Sequence, residues 1–131
     1  MTEMNKKLLD EAKRVREFAY APYSNFAVGA AVLGGSGEVY GGCNVENASF
    51  SVTNCAECTA IYNAISAGEK ELIALAVVAE GEAPVTPCGA CRQILAEFHI
   101  QYILMANLAG DVKEMTLEEL LPGAFSAENI N

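Results

Sequence analysis

Basic residues are scarce in this chain. Lysine and arginine total eight among 131 residues, against 17 acidic ones, for a net charge of −9. A nucleic-acid partner needs a concentrated basic face. Here Lys6, Lys7, Lys13, Arg14 and Arg16 are interleaved with Asp10, Glu11 and Glu17, the pattern of a solvated helix face. Nucleic acid is excluded as a partner, and the acidic balance disfavours anionic small molecules as well. Long apolar runs are also missing. None approaches the ~18 residues of a membrane span, and Met1–Glu11 lacks the apolar stretch of a signal peptide. The expectation is a cytoplasmic protein with no membrane partner. Repeats, linkers and low-complexity segments are absent too, so residues 1–131 are expected to form a single domain.

What the chain does have is apolar bulk: 52% hydrophobic residues and only 19% charged, which rules out a disordered composition. So few charges on a small domain hint that copies of the chain cover part of its surface, although an apolar monomer core reads equally well from composition. Leu8, Leu9, Ala12, Val15 and Ala19 recur at helical spacing, predicting a first helix over residues 5–20, ended by Pro22. The run Phe26–Leu33, a glycine-rich turn at 34–37 and Glu38–Cys43 predict a β-hairpin. Helical periodicity returns over Ala56–Ala67, closing on Gly68. Leu72–Ala79, almost wholly apolar, predicts a buried central strand. Gly89–Phe98 is a further helix and Tyr102–Ala106 a further buried strand. After a turn at Gly110 come Val112–Met115 and a short helix Thr116–Leu121 capped by Thr116. This order predicts a mixed central sheet with helices packed on it, a three-layer α/β/α sandwich.

Five cysteines in a reducing compartment point to metal binding or catalysis rather than disulfides. Four of them fall at expected helix starts, in Cys55-Ala56-Glu57-Cys58 and Pro87-Cys88-Gly89-Ala90-Cys91. Free N–H groups and the positive dipole end at a helix start favour thiolate. Two such ends facing each other make a soft anionic site suited to zinc. Spacing alone favours a closed, structural site of four cysteines. Glu57 argues for an open three-cysteine site, because a carboxylate beside an activated water is what a hydrolytic centre needs. The residues by themselves leave both readings standing.

The segments APYSNFAVGAAV, GGCNVENASF, NCAECTAI, TPCGACRQ and LLPGAF resemble, in order and spacing, the successive motifs of the small bacterial cytidine deaminases. The resemblance implies that Cys55, Cys88 and Cys91 hold Zn²⁺, with the fourth position left to water. It implies that Glu57 is the catalytic proton carrier, taking a proton from the water, delivering it to ring N3 and next protonating the leaving amino group. Asn44 and Glu46 match the pair that binds the ribose hydroxyls, Phe26 the aromatic that packs on the pyrimidine, and Ala56 a backbone contact to the base edge. Read from the residues alone, Phe26 is strand core. Phe125 resembles a residue lent to a neighbouring subunit's pocket, in keeping with a homotetramer. The implied reaction converts cytidine or 2′-deoxycytidine to the uridine product and ammonia, in pyrimidine salvage. The same mechanism acting on a 4-modified pyrimidine nucleoside or a nucleoside antibiotic is the alternative, and a non-catalytic zinc protein with all four cysteines on the metal is the alternative of a different class. His99, the only histidine, matches no ligand position and is read as structural.

One position departs from the family pattern. The family has arginine after Cys-Ala-Glu, and here Cys58 stands in its place. Three thiolates leave a zinc site net negative and weaken its Lewis acidity. Cys58 cannot offset that charge, and Arg92 beside Cys91 is the candidate substitute. Cys58 itself is expected beside the site rather than as a fourth ligand.

Overall fold

The computed structural model of the protein describes residues 1–130. Its elements are α1 (Glu3–Arg16), β1 (Val28–Gly34), β2 (Val39–Cys43), α2 (Ala56–Ser66), β3 (Leu72–Ala79), α3 (Gly89–Glu97), β4 (Tyr102–Asn107), β5 (Val112–Thr116) and α4 (Leu117–Leu120). The five strands form one sheet in the order β2-β1-β3-β4-β5. Strands β3 and β4 run parallel, joined through α3, and the other neighbours are antiparallel.

Strand periodicity explains the layers. Successive side chains point to opposite faces of a sheet, so a strand covered on both sides must be apolar throughout. In β3, Leu75 and Val77 join the cluster under α2 and α3, while Ala74, Ala76 and Val78 join the cluster under α1. Strand β4 divides in the same way, Ile103 and Met105 on one face and Leu104 and Ala106 on the other. Helix α1 supplies Leu8, Leu9 and Ala12 to its face; α2 supplies Ala60, Ile61 and Ala64 to the opposite one. The result is the expected α/β/α sandwich. Helix α2 sits very close to the sheet edge: a Cβ on Gly42 of β2 would lie 2.3 Å from the backbone nitrogen of Ala60. That close approach sets the position of the helix whose first turn carries Cys55 and Glu57.

Helix α1 and strand β1 differ from the sequence expectation at their boundaries. Helix α1 begins at Glu3, because the Thr2 side chain accepts from the Asn5 N–H as an N-cap. It ends at Arg16 rather than 20, so Pro22 is not what stops it. Beyond the helix, Tyr20 pairs with the segment after β2: its N–H donates to Asn44 O, and its carbonyl accepts from Glu46 N–H. Strand β1 begins at Val28, which leaves Phe26 outside the sheet and exposed rather than in strand core. At the other end, Thr116 caps α4 in a reciprocal box with Glu119, as its TLEE sequence suggests. His99 follows α3 at φ 52, where its N–H donates to Ala96 O, a helix-ending role.

Candidate active site

Helices α2 and α3 begin at cysteines. Cys55 is the N-cap of α2 and Cys88 that of α3, and neither sulfur caps its own helix. Both side chains are therefore free to turn off the helix ends toward a shared point, which Cys91 reaches from the first turn of α3. The sulfurs of Cys55, Cys88 and Cys91 lie within 4.8 Å of one another, with Cys55 and Cys88 3.9 Å apart. Thiolates around a tetrahedral zinc, at about 2.3 Å from the metal, sit roughly 3.8 Å from each other. The cluster fits that ion in donor type, number and spacing. Hydrogen bonding from the Cys91 and Cys88 thiols draws the Cys55 thiol down to about 6, and the same contact, with that of Cys58, pushes Cys91 up.

Cys58 is buried, and its sulfur lies 3.9 Å from that of Cys91, but it is not one of the three thiols that close on a common point. It stands behind one ligand. Arg92 is turned elsewhere. Its Nε donates to Pro87 O at 2.9 Å and its Nη1 to Leu120 O at 2.7 Å, and among the described residues none of its bonds goes to a sulfur. The arginine that was to offset the thiolate charge instead ties the start of α3 to α4.

Glu57, the second residue of α2, is only 6% exposed. Burial pushes its carboxyl up to about 7, assisted by the neighbouring Cys55. It lies with Cys55, Cys88 and the Ala56 backbone at one end of a cleft of about 240 Å³. The walls are Phe26, Val28, Val77, Val85 and Thr86, and the far end holds Ser24, Asn44 and Glu46. Among the described residues no lysine or arginine lines it. A larger groove of about 600 Å³ runs along α1, but it is an open surface of charged side chains, including the exposed Lys6–Asp10 pair, with no convergent buried groups.

At the far end, polar side chains hold backbone. The Asn44 Oδ1 accepts from Val28 N–H at 2.9 Å and its Nδ2 donates to Phe26 O at 2.8 Å. Glu46 accepts from the loop at Tyr23 and Ser24, which lowers its carboxyl from the ordinary value, the Ser24 hydroxyl being the main cause. The structure thus brings together seven of the residues singled out in sequence: Phe26, Asn44, Glu46, Cys55, Ala56, Glu57 and Cys88. Cys91 sits behind them in the sulfur cluster. Phe125 is not among them. It is exposed near the C-terminus, where its carbonyl accepts from Gln93 Nε2 at 2.9 Å. Sequence reasoning missed Ser24, Val85 and Thr86. The first lies inside the APYSNF motif, and the other two carried only their nearness to Cys88.

A mixed α/β sandwich with three convergent thiols, a buried carboxyl beside them and a small cleft lined by no lysine or arginine among the described residues defines a zinc-centred hydrolytic protein. The sequence pattern described as "Cytidine and deoxycytidylate deaminase zinc-binding region" matches residues 2–107. Cytidine deaminase of Sporosarcina psychrophila is 54% identical over 127 residues, covering 95% of this chain and 93% of the relative. The crystal structure of cytidine deaminase from Burkholderia pseudomallei superposes with a TM-score of 0.88 at 47% identity, over 95% of this chain and 100% of that one. The dCMP deaminase of cyanophage S-TIM5, at 15% identity and a TM-score of 0.61, shares the fold alone. The chain belongs to the cytidine and deoxycytidylate deaminase family, and its metal is zinc.

Proposed function

We propose that this protein is a cytidine deaminase that hydrolyses cytidine and 2′-deoxycytidine to the corresponding uridine and ammonia, working as one domain of residues 1–131. The observation that carries this reading is the buried Glu57 carboxyl beside the three-thiol cluster, in a cleft that Asn44 and Glu46 also line. Cys55, Cys88 and Cys91 would hold the zinc, which when bound supplies the Lewis acidity that activates water near neutral pH. Glu57 accepts a proton from the attacking water and passes it to ring N3, then takes the second proton from the new hydroxyl on C4 and delivers it to the departing amino group, base first and acid afterwards. The Ala56 backbone meets the base edge and Phe26 covers the ring. Asn44 and Glu46 take the sugar hydroxyls. Water enters and ammonia leaves, so the reaction needs no further cofactor.

The family includes nucleotide deaminases, so the choice of nucleoside needs its own support. A 5′-phosphate entering this cleft would find no cation to pair with and would face the Glu46 carboxylate. Exposed Tyr23, Phe50, Val52 and Phe125 favour burial between copies of the chain, and the homotetramer is the assembly we propose, with Phe125 lent to a neighbour. Among the described residues no helix is long and apolar enough to cross a membrane. We assign the enzyme to the cytoplasm and to pyrimidine salvage. Zinc-loaded protein assayed on cytidine and on cytidine 5′-monophosphate tests the substrate reading. Uridine formation with a kcat/KM at least roughly a hundredfold above that for the monophosphate is expected. Equal efficiency on both would contradict it.

A further inference from the structure

The polar contacts of the Glu46 side chain all run to one short loop. Oε1 accepts from the N–H of Tyr23 at 2.9 Å and of Ser24 at 3.1 Å, and Oε2 accepts from the Ser24 hydroxyl. That hydroxyl oxygen in turn accepts from the Phe26 N–H at 3.1 Å. Between them Asn25 has φ 57 and donates its N–H to Ala21 O at 2.9 Å, so the loop folds back on itself at this point. No lysine or arginine pairs with Glu46 among the described residues. Its charge is satisfied by these donors alone.

An ionised carboxylate offers about four acceptor positions. Three are taken by the loop, leaving one, on Oε2, for a bound hydroxyl. Which way that position faces depends on the rotation of the carboxylate, and the one side-chain group holding Oε2 is the Ser24 hydroxyl. We propose that Ser24 is a positioning residue for substrate: its hydroxyl fixes the Glu46 carboxylate and ties it to the backbone of Phe26, so that the sugar-holding group and the base-covering ring are set as one unit. The hydroxyl proton is committed to Glu46, so Ser24 acts through its neighbours rather than by donating to the nucleoside. The proposal rests on the reading of Glu46 and Phe26 as substrate contacts.

The test uses zinc-loaded wild type, Ser24→Ala, Ser24→Thr, Glu46→Ala and the Ser24→Ala/Glu46→Ala double variant. Steady-state kinetics on cytidine are read beside calorimetric Kd values for uridine. Loss of one hydrogen bond to a charged group predicts that Ser24→Ala raises both KM and the uridine Kd about tenfold, with kcat within about twofold. Ser24→Thr, which keeps the hydroxyl, recovers most of that loss. In the double variant, Ser24→Ala adds little to the effect of Glu46→Ala, because the two changes break one interaction. Wild-type KM in Ser24→Ala overturns the proposal, as does a multiplicative effect in the double variant. If Glu46→Ala itself leaves KM and Kd unchanged, the reading of Glu46 as a substrate contact fails, and the proposal with it. If Glu46→Ala weakens binding while Ser24→Ala acts independently, only the proposal fails.

Discussion

The two ends of the cleft are built by different means. At the metal end, Cys55, Ala56, Glu57, Cys88 and Cys91 occupy the first turns of two helices packed on the central sheet, and Ala56 and Cys91 are fully buried. At the other end, which we propose takes the sugar, Asn44, Glu46, Ser24 and Phe26 lie in irregular chain between helix and strands, held by hydrogen bonds that span 16 to 23 residues. Packing fixes the first end. Polar side chains clasping backbone fix the second. Proton transfer tolerates little displacement and gains most from a rigid, dry setting, whereas an end that admits and releases a sugar can be assembled from loops.

That contrast predicts a graded response to mutation. The largest effect is expected from Cys88→Ala. With two thiols left, the protein should lose its zinc and all measurable turnover, and melt at a lower temperature, because metal binding and folding are coupled. Metal analysis and thermal melting read this directly; full zinc occupancy would remove Cys88 from the ligand set. The loop variant Ser24→Ala, by contrast, should change binding and leave zinc in place. The smallest effect is expected from Cys58→Ala. Its sulfur touches Cys91 but lies outside the three-thiol group. Zinc should stay at one per chain, with its affinity lowered by about tenfold, the low end for a partner of a metal ligand. Loss of the metal would instead make Cys58 a ligand and the site a closed one.

The same contrast governs how much could be read from the sequence. That the metal end holds a metal was legible because helix starts leave local marks, two cysteine pairs at helix spacing, each just ahead of an apolar periodic run; which three of the four cysteines form the ligand set came from the family resemblance. The core was legible for the same reason, since β3 and β4 must be apolar on both faces. The end at Asn44 and Glu46 left no such marks. The apolar pattern carried α1 past its true end, because the pairing of Tyr20 with Asn44 and Glu46 that draws the chain away is long-range. Phe26 adjoins the β1 run and looks like strand on periodicity alone, yet it stands outside the sheet. The family resemblance pointed to the cleft that Phe26 lines; the residues did not. Arg92 misled for a different reason. Adjacency to Cys91 said nothing of where a long side chain goes, and two backbone carbonyls claim it.

The most direct test is Glu57→Gln, the isosteric change that removes the proposed proton carrier and leaves the rest of the metal end intact. General acid–base steps contribute typically ~10²–10⁴-fold, and here one group serves every transfer. The Glu57→Gln protein is expected to be zinc-replete and folded and still to bind uridine, with kcat on cytidine lower by at least about a thousandfold. A Glu57→Gln protein within tenfold of wild-type kcat would contradict it, leaving the sulfur cluster without its catalytic carboxylate.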